Sequence, residues 1–310
     1  MRETGGSLND NFRAETDAGR MFVRCHRVAD MHFLARLEAE GDLILAAGEL
    51  GIPVAPPLGE GPGRYLSIGG RFWSVYRWVE GSNLPRGETD ASGAEALGHV
   101  HGRTHVALAA ARPAFEHRHL APRPAWHTAS ALALLAETAE AVEGADIAEE
   151  RRAWLLERLR FQAALLNGGA GVAYEAFAHV RRHLIHGDFH DRNVLFDGAL
   201  NATAVVDWEL FQLTPRLFEL LRCVTFAKLL DRALLGAYLR GYRQHVAFEK
   251  DEAESAVEMW WQSRLHDTWA MRQRFVLNDM RVDDFVEAPS PVEELSRGEY
   301  RRELVERLLG

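Results

Sequence analysis

The spacing of apolar residues changes along the chain, from a period of two near the N-terminus to a helical period over most of the remainder. Apolar and polar residues alternate over 12–16, and residues 21–25 form a second short apolar run. The turn-forming residues 17–19 separate the two runs, so this region predicts a β-hairpin. The aromatic-rich residues 71–81 end in glycine and predict a further strand.

Helical spacing dominates after these strands. Predicted helices cover residues 30–50, a segment that includes 96–105, the stretches 128–144 and 148–167, a helix that starts at Pro215, and the stretches 229–246, 251–276 and 292–309. Gly48 and Gly51 mark the end of the first helix. The strands therefore concentrate before residue 81, and the helices follow.

Composition and charge narrow the class of protein. The 310 residues are enough for one large domain or two lobes, and 47% of them are hydrophobic. A net charge of -9 argues against a nucleic-acid partner, which requires a basic face. Two cysteines, Cys25 and Cys223, argue against a disulfide framework. Residues 1–10 lack an apolar core, and no apolar run reaches membrane-spanning length, so we expect a cytoplasmic protein without a membrane partner.

The stretch 186–193, HGDFHDRN, lies between two short apolar runs, and Asp207 follows Asn193 at hairpin distance. Phosphoryl transfer from ATP requires a carboxylate that takes the acceptor proton, and an Asn and an Asp that hold magnesium. Asp188 is therefore the candidate base, and Asn193 and Asp207 are the candidate metal ligands. A lone H-x-D could be an ordinary turn. The ordered combination favours phosphoryl transfer.

This stretch resembles the catalytic loop of the aminoglycoside phosphotransferase and choline kinase superfamily, which reads H-G-D-x-H-x-x-N. The resemblance spans roughly residues 5–230 and is strongest at 184–209. It implies an α+β, bilobal protein-kinase-like fold with a small antiparallel-sheet N-lobe over 1–80, which binds nucleotide. A mostly helical C-lobe over 81–310 would carry the catalytic loop and the acceptor site. The implied cofactors are ATP, or another nucleoside triphosphate, and Mg²⁺.

The family covers the nucleotide phosphates with a glycine-containing loop, and Gly6, Ser7 and Asn9 resemble it. Backbone N–H groups can approach phosphate closely at glycine. The alternative is a simple hairpin turn. Arg24 falls where the family usually carries a phosphate-binding lysine, and its guanidinium can also neutralise phosphate. The alternative for Arg24 is a solvent-facing strand residue.

Two further nucleotide contacts are implied by the resemblance. In the family, a helix glutamate pairs with the phosphate-binding basic residue, and Glu40 is the better candidate, with Glu38 second. Either could equally be a solvated surface charge. Residues 71–81 resemble the linker between lobes that binds adenine, which makes Tyr76 and Trp78 candidates. The alternative is a plain aromatic edge strand.

Other motifs favour structure over chemistry. His101 and His105 are helical neighbours that could share a metal. The family pattern L-G-x-L-x-x-x-x-H nevertheless accounts for Gly98 and His105, which favours helix packing. After Pro215, Glu219 occupies a position where the family more often carries Asp, at the start of a helix.

The sequence therefore predicts an ATP- and Mg²⁺-dependent O-phosphotransferase. Its partner would be a small-molecule hydroxylated acceptor, such as an aminoglycoside, a sugar, an amino alcohol or a hydroxylated amino acid. The alternative is a catalytically impaired pseudokinase that acts as a ligand- or partner-binding module. Arg24 in place of lysine supports this alternative. The joint presence of Asp188, Asn193 and Asp207 opposes it.

Acidic residues alternate with Trp260, Trp261 and Trp269 in the predicted C-terminal helices. Carboxylates attract cations, and a tryptophan face can hold an ammonium group. This suggests an amine-bearing acceptor. The alternative, a solvated acidic face over a tryptophan-filled core, is slightly favoured.

Overall fold

The structure is a computed structural model that describes residues 2–3, 9–27, 31–115, 126–287 and 291–310. The strands are β1 (Arg2–Glu3), β2 (Asp10–Thr16), β3 (Gly19–Cys25), β4 (Tyr65–Ile68), β5 (Arg71–Arg77), β6 (His183–Ile185), β7 (Val194–Phe196), β8 (Ala202–Val205) and β9 (Gln212–Thr214). The helices are α1 (Met31–Glu49), α2 (Ala91–Phe115), α3 (Thr128–Glu143), α4 (Glu149–Asn167), α5 (Arg216–Phe226), α6 (Arg232–Arg243), α7 (Lys250–Leu265), α8 (Trp269–Met271), α9 (Asp283–Glu287), α10 (Val292–Ser296) and α11 (Gly298–Leu309).

The N-terminal strands form an antiparallel sheet in the order β1-β2-β3-β5-β4. The predicted hairpin is confirmed as β2 and β3. Arg24 on β3 lies opposite Asn11 on β2 and opposite Ser74 on β5. Helix α1 packs against the sheet through an apolar cluster made of Leu37, Tyr65 and Phe72. The sheet and this cluster therefore hold the backbone of Arg24 in place.

Two short antiparallel strand pairs hold the two ends of the predicted catalytic motif, residues 186–193. Strand β6 pairs antiparallel with β9, and β7 pairs antiparallel with β8. Val205 is the last residue of β8, and its N–H donates to the carbonyl of Pro53 at 2.7 Å. Ser82 and Phe196 exchange two backbone hydrogen bonds of 2.9 Å. These contacts tie the hairpin of β7 and β8 to the segments that flank the sheet.

Contacts within the chain divide it into two compact units. One unit contains the described residues of 1–123, 181–253 and 306–310, and the other those of 124–180 and 254–305. All the strands named above and all the candidate catalytic residues belong to the first unit. The predicted lobe boundary between residues 80 and 81 falls inside this unit and stays a prediction. In the part of the chain that the structure describes, no helix is long and apolar enough to span a bilayer.

Helices α2 and α6 of the first unit cross closely because glycine occupies the contact. A Cβ atom on Gly98 would lie 2.0 Å from the carbonyl oxygen of Tyr238, and a Cβ atom on Gly241 would lie 2.0 Å from that of Glu95. Any larger residue would therefore push the two helices apart. The close approach also brings the histidines of α2 to the tyrosines of α6.

Two predicted C-terminal helices are interrupted, which corrects the sequence interpretation. The segment 251–276 is divided between α7 and α8, and a π-helical turn over Arg272–Val276 continues from α8. The carboxylate of Asp267 accepts the Trp269 N–H at 3.0 Å, a local turn contact immediately before α8. The segment 292–309 is divided at Arg297, which is extended.

Trp260 and Trp261 are 1% and 3% exposed and form part of the core of the second unit. The Arg264 guanidinium lies 4.6 Å from the Trp260 ring centroid, and that of Arg301 lies 5.5 Å from the Trp261 ring. Cations of the chain itself therefore lie against both rings. For these two residues the tryptophan-core alternative is right.

Gly98→Ala should destabilise the protein by roughly 1–3 kcal/mol, because the added methyl group would overlap the Tyr238 carbonyl. Gly236→Ala is the matched control on α6, where an added Cβ meets nothing within 4 Å. The control should stabilise the helix by up to about 1 kcal/mol. Urea unfolding of both variants measures the difference, and equal effects would contradict the close crossing.

Candidate active site

The predicted catalytic motif, residues 186–193, connects β6 to β7. Gly187 has a φ of 89°, and a Cβ atom there would lie 1.8 Å from the carbonyl oxygen of Leu210. Only glycine fits this position. A 3₁₀ turn over Asp191–Asn193 then leads into β7. The motif is thus a tight loop whose shape depends on its glycine.

A buried carboxylate on α5 holds the backbone of this loop. Oε1 of Glu219 accepts hydrogen bonds from the N–H of Gly187 and from that of Phe189, the second at 3.5 Å. Oε2 lies 2.9 Å from Nε2 of His105 and 3.4 Å from Nε2 of His101. Burial alone would raise the pKa of Glu219, but the hydrogen bonds from the two histidines bring it well below its usual value. Glu219 is therefore ionised at neutral pH.

His101, His105 and Glu219 lie close enough together to hold a cation. Each histidine also contacts a tyrosine of α6: Nδ1 of His101 pairs with the Tyr238 hydroxyl, and Nδ1 of His105 with the Tyr242 hydroxyl at 2.8 Å. Burial lowers the pKa of His101 to about 3, so its ring is neutral. A neutral ring that donates from Nε2 to Glu219 and accepts at Nδ1 from a tyrosine has all its hydrogen bonds. These hydrogen bonds explain why the three residues lie together: the histidines hold Glu219, and Glu219 holds the loop.

The buried ring of His186 links the loop to the strand before Asp207. The Asp188 N–H donates to Nδ1 of His186 at 3.2 Å, so the ring proton lies on Nε2, which donates to the carbonyl of Val206 at 3.0 Å. The Val206 N–H in turn donates to the carbonyl of Asn193 at 2.9 Å. The structure therefore brings the three predicted catalytic residues together on two adjoining backbone segments.

The side chain of Asp188 is surrounded by donors. Nδ2 of Asn193 donates to the Asp188 carbonyl at 2.8 Å and to its Oδ2 at 3.2 Å. Oδ1 accepts from Nε of Arg222 at 3.1 Å and also from its Nη2. Nε2 of His190 lies 3.6 Å from Oδ2. Burial would raise the pKa of Asp188, but the Arg222 charge and the nearby His190 together hold it below its usual value.

Arg24 lies beside the second predicted metal ligand. Its Nη1 donates to Oδ1 of Asp207 at 2.8 Å, and its Nε donates to Oδ1 of Asn11 at 3.1 Å. The Arg24 side chain is 11% exposed, so the solvent-facing alternative is wrong. Asp207 has a φ of 66°, a left-handed conformation that Asp tolerates better than most residues. Such conformations concentrate at functional sites.

The predicted pairing of Glu40 with Arg24 is wrong for this structure. Among the described residues, the ion pairs of Arg24 are with Asp207 and, at 4.0 Å, with Glu209. The surface-charge alternative for Glu40 is also wrong, because this side chain is buried. Burial and the neighbouring Glu209 charge raise the pKa of Glu40 to about 8, although the Arg24 charge opposes them. Glu40 therefore contributes to the electrostatics of the site without a direct ion pair to Arg24. The second candidate, Glu38, is half-buried.

The predicted phosphate-covering loop is only partly described. Gly6 and Ser7 lie outside the described residues. Asn9 is buried, and its Nδ2 donates to Oε2 of Glu209 at 3.0 Å. Nη2 of Arg36 donates to the Glu209 carbonyl at 2.8 Å. Glu209 therefore joins the segment after Asp207 to the start of β2 and to α1.

The two predicted adenine-binding residues occupy different environments. Tyr76 on β5 is buried, and its hydroxyl accepts from Oγ of Ser74 at 3.2 Å. Trp78 is half-buried just after β5, and its N–H donates to the Arg20 carbonyl at 3.2 Å. Their role in nucleotide binding stays a prediction.

The oxygen atoms of Asn193 and Asp207 suit a hard divalent cation. Nδ2 of Asn193 is used by Asp188, which leaves its Oδ1 as the ligand atom. Carboxylate and amide oxygens are what Mg²⁺ and Ca²⁺ prefer. The donor set therefore fits the metal ion that the sequence implies.

Several contributing residues do not follow from the sequence motif alone. Arg222 contacts Asp188 from α5, and Glu209 and Asn11 surround Arg24. The only local signal for Arg222 is its position three residues after Glu219, which places both on one helical face.

Solved structures with the same fold include several small-molecule kinases. An amicoumacin kinase, in complex with AMP-PNP and Ca²⁺, is 14% identical, with a TM-score of 0.60 over 98% of this chain and 87% of the other. An aminoglycoside phosphotransferase from Alicyclobacillus acidocaldarius is 16% identical, with a TM-score of 0.56 over 100% and 91%. A microcompartment-associated aminopropanol kinase is 16% identical, with a TM-score of 0.57 over 99% and 88%. No curated protein sequence matches the chain significantly.

These structural similarities confirm the α+β, bilobal protein-kinase-like fold, with a small antiparallel-sheet N-lobe and a mostly helical C-lobe. At such low identities they concern the fold alone. The family model described as the phosphotransferase enzyme family matches residues 3–254, which is most of the chain. The protein therefore belongs to the phosphotransferase enzyme family.

Proposed function

We propose that the protein transfers the γ-phosphoryl group of ATP to a hydroxyl of a small molecule, with Mg²⁺ as the metal ion. The observation that carries the proposal is the hydrogen-bonded connection of Asp188, Asn193 and Val206, the residue before Asp207. Phosphoryl transfer needs a carboxylate at the acceptor and oxygen ligands at the phosphates in one site.

Asp188 would bind the acceptor hydroxyl and receive its proton. Its carboxylate is ionised because Arg222 and His190 favour the charged form despite burial. An ionised carboxylate can accept a hydrogen bond from the hydroxyl and so orient its oxygen. General-base help of this kind contributes about two to four powers of ten in rate.

Asn193 and Asp207 would hold Mg²⁺ through oxygen atoms, and Arg24 would contact the nucleotide phosphates. The bound metal ion supplies charge neutralisation at the phosphates. The nucleotide assignment is supported by the AMP-PNP in the structure of the amicoumacin kinase. In the present structure Nη1 of Arg24 donates to Asp207, so phosphate binding requires Arg24 to exchange or share this partner.

The Arg24–Asp207 ion pair is also the observation that favours the pseudokinase alternative. Arg24, the predicted phosphate-binding residue, lies 2.8 Å from Asp207, a predicted metal ligand, so each of the two occupies the other. If nucleotide does not separate them, the chain would act as a binding module without catalysis. The complete set of Asp188, Asn193 and Asp207 supports the enzyme.

The acceptor class is a small hydroxylated compound, and an amine-bearing alcohol is one candidate. A kinase of similar fold is described as an aminopropanol kinase. Trp260 and Trp261 do not support an ammonium site, because both are buried. The proposal therefore rests on the catalytic residues and not on an acceptor pocket.

ATP consumption with a panel of amino alcohols, sugars, aminoglycosides and hydroxylated amino acids tests the proposal. We expect one acceptor class to accelerate ADP formation and to gain a phosphoryl group, detected by mass spectrometry. An absence of both ADP formation and phosphorylated product, with MgATP bound, would favour the pseudokinase.

Asp188→Asn should lower phosphoryl transfer by at least about 100-fold, because the amide cannot accept the acceptor proton. The ATP dissociation constant should stay within about threefold, since Asp188 contacts the acceptor and not the nucleotide. Calorimetry measures binding, and product formation measures transfer. Equal losses in a folded variant would show that the role is misassigned.

Asp207→Asn should weaken ATP binding in Mg²⁺ much more than in EDTA. Asparagine is the suitable replacement because it tolerates the left-handed backbone at this position. The ratio of the two dissociation constants measures the metal-dependent part of binding. The same loss in both conditions would make Asp207 a structural residue.

Arg24→Met should raise the Michaelis constant for ATP, whereas Arg24→Lys should keep most of the activity, because the ammonium also neutralises phosphate. Arg20→Met is the control, because Arg20 lies on β3 like Arg24 but forms an ion pair with the exposed Glu80. Unchanged ATP kinetics in Arg24→Met would remove Arg24 from the nucleotide site and strengthen the pseudokinase interpretation.

A further inference from the structure

Helix α5 contacts the catalytic loop at two points, one turn apart. Glu219 accepts hydrogen bonds from loop backbone N–H groups, and Arg222 donates to the side chain of Asp188. Glu219 and Arg222 lie on the same face of α5. This one helix therefore holds both the loop backbone and the Asp188 carboxylate in position.

The Arg222 guanidinium has little freedom to leave Asp188. Its central carbon lies 4.8 Å from the ring centroid of Phe226, the next residue along this helical face, so the guanidinium lies over that ring. The Arg222 side chain is 24% exposed, and that of Asp188 is 20% exposed. A partly buried ion pair is screened less by water than an exposed one. The pair therefore restricts the rotamer of the carboxylate.

The donors divide unequally between the two carboxylate oxygens. Oδ1 accepts both Nε and Nη2 of Arg222, which uses the two lone pairs of that atom. Oδ2 accepts Nδ2 of Asn193 at 3.2 Å and lies 3.6 Å from Nε2 of His190, which is beyond a direct hydrogen bond. One lone pair of Oδ2 is therefore left for an incoming hydroxyl.

We propose that Arg222 is a positioning residue, which occupies Oδ1 of Asp188 and so presents Oδ2 to the acceptor hydroxyl. This inference rests on the proposed function and adds to it a residue that acts through Asp188. His190 lies on the presented side, where its Nδ1 accepts the Arg192 N–H at 3.1 Å, so its Nε2–H faces Oδ2.

Removal of the guanidinium should affect turnover and not nucleotide binding. Arg222→Met keeps an apolar stem over Phe226 but frees Oδ1, so the carboxylate can rotate. We expect kcat to fall by about 10- to 100-fold, because small displacements of a catalytic group are costly, while KM for ATP stays within about twofold. Arg222→Lys should lie between, since one ammonium cannot supply the two planar N–H groups.

Chemical rescue separates positioning from general stability. In Arg222→Ala, millimolar guanidinium, well below denaturing concentrations, should restore turnover several-fold, because it can bind in the space beside Asp188. The same additive should not rescue Asp188→Asn. Arg240→Met is the matched control, because this exposed arginine pairs with Glu95 in the same unit, and it should keep wild-type kcat.

Turnover is measured as phosphate released from MgATP with water as acceptor, and as product with any acceptor from the panel. Formation of phosphorylated product by the wild-type protein, with dependence on Asp188, establishes the function independently of Arg222. With that function present, an unchanged kcat in Arg222→Met, or a loss that guanidinium does not restore in Arg222→Ala, would refute the positioning role. If Arg222→Met and Arg222→Ala do not fold, Arg222→Lys decides, and full kcat in that variant would refute it.

Discussion

The hydrogen bonds of the buried Glu219 carboxylate are the interaction on which the rest of the active site depends. They join the backbone of the catalytic loop to helix α5 and, through His101 and His105, to α2. The desolvation of a carboxylate costs several kcal/mol, and only good hydrogen bonds offset that cost. Their loss would leave buried N–H groups unpaired, at about 1–3 kcal/mol each. A loop of this kind is therefore held in one conformation, and Asp188 with it.

The same cluster explains why α2 and α6 must approach so closely. The tyrosine hydroxyls of α6 reach Nδ1 of His101 and His105 only because glycines lie at the helix crossing. The ring of His101 also stacks on Phe189, with centroids 4.1 Å apart, next to Asp188. The position of Asp188 therefore depends on the close packing of α2 against α6.

Much of the fold follows from the sequence because local patterns agree with the tertiary structure. The alternating runs around residues 17–19 became β2 and β3, and the helical spacing over 128–144 and 148–167 became α3 and α4 with small shifts of boundary. The single helix predicted over 251–276 is wrong, because a turn at Asp267 separates α7 from α8 and apolar spacing does not report such a break. The motif and the hairpin spacing single out Asp188, Asn193 and Asp207, and the structure places these residues on adjoining segments.

Long-range polar contacts could not be predicted in the same way. The sequence predicts that Arg24 pairs with a glutamate on α1, but Arg24 pairs with Asp207, which lies 183 residues further along the chain. Arg222 carries no motif of its own, and only the folding of α5 against the loop reveals its contact with Asp188. Such contacts depend on where two elements meet, which periodicity does not determine.

Hydrogen exchange of the loop amides tests most directly the claim that Glu219 organises the active site. Glu219→Gln keeps the shape of the side chain, but it offers one acceptor oxygen where the carboxylate offers two. Mass spectrometry of peptides covering residues 184–195 should show faster exchange at the Gly187 and Phe189 amides in the variant, with unchanged exchange in β2 and β3. Equal protection of the loop amides in both proteins would contradict the account.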